Sequence, residues 1–233
     1  MSGLEVSLRQ ASPIPLQVEF ACAPGEVLAL VGPSGSGKTT VLRSIAGTHS
    51  PAQGQVRVNG EAWLDTAAGV RLAPHRRAVG MVFQGYALFP HMDALGNVMA
   101  AMGHVDPSER EGRAHALLAQ VHLDGLERRR PAQLSGGQQQ RVAVARALAR
   151  EPRVLLLDEP FSAVDRATRQ RLYREIAELR QSLAMPVLLV THDLDEAQML
   201  ADRLVVLHRG QTLQAGTPEA VINRPASPEV ARL

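Results

Sequence analysis

The sequence predicts an α/β fold: a mainly parallel sheet with helices on both faces, a smaller antiparallel β subdomain and an inserted helical lobe. Three observations predict it. Four apolar runs each end abruptly in polar chemistry, the stretches between them carry helical periodicity, and a glycine-rich octapeptide follows the first run. Val27-Leu28-Ala29-Leu30-Val31 runs into Gly32, and Val79-Gly80-Met81-Val82-Phe83 into Gln84. Val154-Leu155-Leu156-Leu157 runs into Asp158-Glu159, and Val187-Leu188-Leu189-Val190 into Thr191-His192. Continuous apolar strands separated by helices are buried on both faces, the condition of a parallel sheet. In such sheets ligands bind beyond the carboxyl ends of the strands, so these polar residues are expected along one edge.

The elements follow in order. Leu4-Glu5-Val6-Ser7-Leu8-Arg9 alternates apolar and polar like a strand, and lacks the apolar core of a signal peptide. A helix is expected to start within the octapeptide and run through about Ala46. Gln55-Val56-Arg57-Val58-Asn59 suggests a strand of the antiparallel sheet. From about Leu88 to Arg150 strand–helix alternation stops and the chain reads as mostly helical, the inserted lobe of a single domain spanning 1–233. Leu172, Ile176, Leu179 and Leu183, spaced 4, 3 and 4 apart, form a helical stripe facing the core.

The octapeptide is Gly32-Pro33-Ser34-Gly35-Ser36-Gly37-Lys38-Thr39, which fits G-x-x-x-x-G-K-[ST], the phosphate-cradling P-loop. Lys+Arg total 25, and Lys38 is the one lysine. A chain that otherwise uses arginine places lysine where a compact ammonium on a flexible stem is needed. Backbone N–H groups between the glycines converge on phosphate oxygens, Lys38 neutralises the outer phosphates, and Thr39 can ligate Mg²⁺. Thr40 completes the expected nucleotide-binding stretch. A glycine-rich turn before a helix is the bland alternative; the motif favours nucleoside triphosphate binding.

Composition bounds the rest. With 45% hydrophobic and 21% charged residues, the chain resembles an ordinary soluble protein, and a formal net charge of +2 with no basic stripe argues against nucleic acid. Glu127-Arg128-Arg129-Arg130 reads as a solvated loop. The single cysteine, Cys22 in Phe20-Ala21-Cys22-Ala23, excludes an internal disulfide and is expected to be a small buried hydrophobe. No run approaches the ~18 apolar residues of a membrane span. His49, His75, His91, His104, His115, His122 and His208 lack metal-ligand spacing, and no site is assigned to them.

A second anion site is legible in Leu134-Ser135-Gly136-Gly137-Gln138-Gln139-Gln140-Arg141. Ser135 can cap a helix and Gln138, three residues on, completes a capping box. Gly136 and Gly137 leave backbone N–H groups unobstructed at the positive helix end, which suits an anion. Taken alone, most such sequences merely cap.

Over almost its whole length the chain resembles the ATP-binding subunit of an ABC transporter, a P-loop ATPase of the ABC type. Leu134 to Gln138 resembles that family's signature sequence, Val154 to Glu159 its Walker B strand, Gln84 its Q-loop, Ser162-Ala163-Val164-Asp165 its D-loop and His192 its switch histidine. The resemblance implies that two copies pair head to tail, each ATP lying between the P-loop of one and Ser135, Gly136, Gly137 and Gln138 of the other. It implies that Asp158 and Thr39 hold Mg²⁺, with Gln84 coordinating the ion or water and reporting nucleotide state to a membrane partner. Glu159 would orient the attacking water, and His192 would contact the γ-phosphate. An aromatic that stacks on adenine usually stands near the family's N-terminus; here none precedes Phe20, so Pro13 or Ile14 would supply only apolar contact and ATP-over-GTP preference should relax.

The segment Gln84-Gly85-Tyr86-Ala87-Leu88-Phe89-Pro90-His91-Met92 is similar to that of bacterial importers, where it receives a helix of the permease. The expected partners are therefore a second copy, transmembrane permease subunits and, indirectly, a solute-binding protein, with no nucleic acid. The expected location is peripheral, on the cytoplasmic side of the inner membrane. Asn59-Gly60-Glu61-Ala62-Trp63-Leu64-Asp65 and Leu72-Ala73-Pro74-His75-Arg76-Arg77 resemble molybdate importer ATPases, although the C-terminal oxyanion-binding domain usual there is not expected in 233 residues. Thiamine, iron or polyamine import is the alternative. A repair or translation ATPase, or a P-loop kinase, fits less well.

Overall fold

A computed structural model describes residues 3–162, 164, 166–180 and 183–233. Ala163 and Asp165, part of the expected D-loop, lie outside the described residues. The strands are β1 (Leu4–Gln10), β2 (Leu16–Cys22), β3 (Val27–Val31), β4 (Gln53–Val58), β5 (Glu61–Asp65), β6 (Val70–Arg71), β7 (Val79–Val82), β8 (Val154–Asp158), β9 (Val187–Thr191), β10 (Arg203–His208) and β11 (Gln211–Gly216). The α-helices are α1 (Lys38–Ala46), α2 (Ala94–Met99), α3 (Pro107–Gln120), α4 (Gly136–Leu148), α5 (Arg166–Arg180), α6 (Leu194–Leu200) and α7 (Pro218–Asn223). This is the expected mixed α/β architecture. Two compact units divide it, Met1–Arg77 with Leu183–Leu233, and Ala78–Ser182.

In the first unit the strand order is β6-β5-β4-β1-β2-β11-β10-β3-β9. Alternation sets the antiparallel part. Leu4, Val6 and Leu8 of β1 face Cys22, Phe20 and Val18 of β2, and Leu4 and Val6 also face Val58 and Val56 of β4, all of them buried. One side of these strands is thus apolar and the other polar. The parallel part obeys the other rule: β3 and β9 pair in parallel, Val27 opposite Val187 through Val31 opposite Thr191, and every residue of both is buried. Cys22 is 1% exposed, and burial pushes its thiol up to about 12, so it packs as an inert hydrophobe as expected.

Arg77 supplies a tie that sequence reasoning missed. Its guanidinium is buried and donates to the carbonyls of Ser44 (2.8 Å) and Ile45 (2.6 Å) at the end of α1, and to Trp63 (3.1 Å) and Leu72 (2.9 Å). A cation is favoured at the negative end of a helix, so one side chain anchors α1 to the antiparallel strands. Burial lowers its pKa from the usual arginine value.

The second unit pairs β7 and β8 in parallel, Val79 opposite Val154 through Val82 opposite Leu157. Phe83, expected to end the first of these runs, lies just past the strand and is exposed. Helix α2 begins at Asp93, whose carboxylate accepts from Gly96 N at 2.7 Å. The carbonyls of Glu127 and Arg129 accept from Leu95 N and Ala94 N, so the loop read as merely solvated also caps α2 through its backbone. Helix α3 starts at Asp106 with Pro107 in its first turn. Leu172 and Leu179 of α5 are buried as the stripe requires and Ile176 is half-buried. Leu183 does not continue the stripe, because α5 ends at Arg180. Pro186 biases Met185 toward extended backbone, so the periodicity cannot carry on into helix.

Candidate functional site

In the first unit the chain leaves β3 at Val31 and turns through Gly32 to Gly37 into α1. A Cβ at Gly32 would stand 2.0 Å from Leu207 O, so only glycine passes beneath β10 here. Gly37 has φ 104°, left-handed backbone that a side chain would strain, and it aims the first N–H groups of α1 outward. Lys38 is 4% exposed, with Nζ donating to Gly32 O at 2.6 Å and Pro33 O at 3.0 Å, so its ammonium is held back over the loop. Ser36 Oγ is buried without a hydrogen-bond partner. A buried hydroxyl left so beside a nest of N–H groups fits a phosphate oxygen. Thr39 is half-buried at the second helical position, and Thr40, buried, gives its carbonyl to Ser44 Oγ at 2.8 Å.

His192 belongs to the same unit and is exposed just beyond β9. Its neighbours hold the turn. Thr191 Oγ1 donates to Glu196 Oε2 at 2.8 Å and accepts from Asp193 N at 3.0 Å, while the Asp193 carboxylate caps α6 through Asp195 N and Glu196 N. Sequence reasoning singled out His192 and passed over this frame. The signal was available: Asp193 followed three residues later by Glu196, directly after an apolar strand, is a helix-start pattern.

In the second unit, Gln84 and Glu159 come together. Val82 faces Leu157, so the residues two positions further along each parallel strand also face one another. Gln84 Nε2 donates to Glu159 Oε2 at 3.4 Å, a long bond between exposed groups. Glu159 carries φ 44°, a left-handed conformation uncommon for this residue type, and its carbonyl accepts from Ser162 N and Oγ. Asp158 precedes it at the end of β8, half-buried. Gln84 and Asp158 in the second unit, and Thr39 in the first, each carry a hard oxygen of the kind that suits Mg²⁺, which takes few protein carboxylates and relies on phosphate oxygens. No group of three or more His, Cys, Asp or Glu that could hold a metal ion is present among the described residues.

The start of α4 forms the expected capping box. Gln138 N donates to Ser135 Oγ at 3.3 Å and Ser135 N to Gln138 Oε1 at 2.9 Å. Gly136 and Gly137 occupy the first two helical positions, with Ser135 exposed. Arg146, on the same helix, touches Tyr86 and Ala87 just after Gln84. Arg146 follows Ser135 by eleven residues of helix, so the start of α4 lies roughly 16 Å along the axis from that contact. The first unit holds two aromatics, Phe20 (9% exposed) and Trp63 (1% exposed), neither available as a platform for a base, while Ile14 is 41% exposed. No helix among the described residues is long and apolar enough to cross a membrane.

Comparison with known proteins agrees with these features. A family model described as ABC transporter matches residues 16–162. The chain is 50% identical over 212 residues to the sulfate/thiosulfate import ATP-binding protein CysA of Xanthomonas campestris pv. campestris, covering 88% of this chain and 60% of that protein. It is 48% identical over 217 residues to the Fe(3+) ions import ATP-binding protein FbpC of Streptomyces avermitilis, covering 92% of this chain and 61% of that protein. The chain thus spans about three fifths of the length of these curated relatives. Among solved structures, the dimeric ATP-binding cassette MJ0796 in a post-hydrolysis state, bound to ADP and Pi, superposes with a TM-score of 0.75 at 31% identity, covering 92% of this chain and 98% of that one.

Proposed function

The chain belongs to the ABC transporter family, and on that premise we propose that it is an ATP-binding domain that hydrolyses ATP and powers import of a small anion through separate membrane permease subunits. The observation that carries this reading is the presence on one chain of two glycine-flanked helix starts suited to an anion, the P-loop before α1 and the capping box before α4. Each is a helix start with unobstructed N–H groups. In this proposal the backbone of Gly32, Pro33, Ser34, Gly35, Ser36 and Gly37 cradles the β- and γ-phosphates, with Lys38 and Thr40 beside them. Lys38 draws charge off the γ-phosphate as the bond to the leaving oxygen lengthens. Glu159, oriented by Gln84, accepts a hydrogen bond from the attacking water, and His192 contacts the γ-phosphate. Thr39, Asp158 and Gln84 would hold Mg²⁺, which neutralises charge developing on the phosphate oxygens. Ser135, Gly136, Gly137 and Gln138 close on the nucleotide of a second copy, so ATP favours a head-to-tail dimer and hydrolysis releases it. The assembly would sit peripherally at the cytoplasmic face of the inner membrane, with the region of Phe89 and His91 facing the permease, and one domain would span 1–233.

For the solute we propose a tetrahedral oxyanion. Molybdate was the expectation from sequence resemblance, and sulfate has the same shape and charge; the names of the relatives favour sulfate or thiosulfate, with ferric ion as the second reading. The test is accumulation of labelled sulfate, molybdate and ferric iron in cells lacking the gene, complemented with the intact chain or with Lys38→Ala. Loss of sulfate or molybdate uptake, restored only by the intact chain, is the expected result. Loss of iron alone would replace the oxyanion, and unchanged uptake of all three would remove the import reading.

The nucleobase offers a separate expectation. Stacking on an aromatic contributes about 1–3 kcal/mol per base in other settings. With only apolar contact expected from Ile14 or Pro13, GTP should compete for the site within about tenfold of ATP, since 1.4 kcal/mol is a factor of ten. Competition binding with a fluorescent ATP analogue measures this; a preference for ATP well beyond tenfold would mean that another group recognises adenine.

A further inference from the structure

The loop after Gln84 holds an uncommon amount of strain. Tyr86 (φ 58°) and Ala87 (φ 49°) are consecutive non-glycine residues in left-handed backbone. Each costs free energy that ordinary turns avoid. Tyr86 adds a second cost, because its side chain is buried and its hydroxyl has no hydrogen-bond partner. Such a conformation persists only where the surroundings impose it.

Two side chains impose it, from two helices. Asn97 of α2, fully buried, accepts from Phe89 N at 2.8 Å and donates to the carbonyls of Phe89, Met92 and Asp93, fixing the downstream half of the loop. Arg146 of α4 fixes the upstream half. Its Nη1 donates to Ala87 O at 2.7 Å, its Nη2 donates to Tyr86 O at 2.8 Å, and its Cζ stands 5.6 Å from the centroid of the exposed Phe89 ring. One planar guanidinium therefore grips both strained peptides and an aromatic that faces solvent, a fork that lysine cannot reproduce.

We propose that Arg146 is a positioning residue that latches the strained turn at Tyr86 and Ala87 to α4, so that the helix starting at Ser135 sets the shape of the surface bearing Phe89. The proposal rests on the functional reading above, in which Ser135 to Gln138 meet nucleotide and the Phe89 region meets the permease. Helix α4 is a continuous hydrogen-bonded rod, so displacement of its N-terminus on nucleotide carries to Arg146 in its last turn. Strain in the turn supplies the second state: once the guanidinium moves, both peptides can relax to right-handed or extended backbone.

The test is amide hydrogen exchange of residues 83–97 in the intact chain, without nucleotide and with saturating ATP and Mg²⁺, for the native protein, Arg146→Lys and Arg146→Ala. ATP turnover and thermal midpoint are measured alongside. In the native chain, ATP should change exchange at residues 85–89 several-fold. Arg146→Ala should exchange there at least tenfold faster without nucleotide and lose the ATP response, while residues 92–97 and the thermal midpoint stay near native. Arg146→Lys should keep part of the response. Native exchange at 85–89 in Arg146→Ala, or an undiminished ATP response, would overturn the latch. So would uniform acceleration across α2, α3 and α4 in both variants, which would mark a role in general stability. If the native chain neither bound nor hydrolysed ATP, the functional reading would fail by that measurement, whereas the nucleotide-free exchange still reads the latch by itself.

Discussion

Lys38→Ala is expected to lower ATP turnover by about 10²–10³-fold, equivalent to about 2.7–4 kcal/mol of transition-state stabilisation, the usual effect of removing one preorganised charge or donor. The ammonium is nearly buried and tied to Gly32 O and Pro33 O, so it is placed before nucleotide arrives and needs little reorganisation when charge develops. Because neither bond is needed for the sheet, unfolding midpoints should change little and the loss should lie in turnover. Lys38→Arg should be nearly as damaging, since a planar guanidinium does not fit the space left to a side chain that is 4% exposed. Steady-state phosphate release at saturating ATP decides the matter, and turnover near the native rate in Lys38→Ala would remove the P-loop assignment.

Glu159→Gln separates binding from chemistry. The replacement keeps the size of the side chain and an oxygen able to accept from Gln84, so the turn held by Ser162 should survive. In the proposed reading it removes the negative charge that would orient and polarise the attacking water. A fall in turnover of about 10²–10⁴-fold with ATP affinity kept within a few-fold is the expected outcome. Under saturating ATP the variant should accumulate as a dimer by light scattering, because the closed state is no longer discharged by hydrolysis. A variant that remains monomeric would count against nucleotide-driven pairing. Loss of binding and turnover together would instead assign Glu159 a structural role.

Much of the site was legible because its chemistry is local. The P-loop glycines, Lys38 and Thr39 lie on neighbouring backbone and one helix start, and the capping box of Ser135 and Gln138 forms between residues three apart. Periodicity also reported β3, β8 and β9, since two-sided burial demands unbroken apolar runs. The stripe through Leu172 and Leu179 was equally readable, though it overran the helix at Leu183. The ties made by Arg77, Asn97 and Arg146 were not readable. Each is a polar side chain bonded to main-chain carbonyls, some of them far away in sequence, and a carbonyl carries no residue identity for a pattern to detect.

By itself, the sequence picked out the groups proposed to carry the chemistry: one lysine in a phosphate-loop motif, a carboxylate pair after an apolar strand, and a serine-capped glycine pair at a second helix start. Those follow from composition and spacing over a few residues, where covalent geometry leaves little freedom. Tertiary structure decided what faces what. The parallel register of β7 and β8 put Gln84 against Glu159, and close passage of β10 over Gly32 excluded any side chain there. The packing of α4 placed Arg146 on a turn that is unfavourable alone. Register and strain are properties of segments brought together by burial, and their free energy is set by the partners that fold against them.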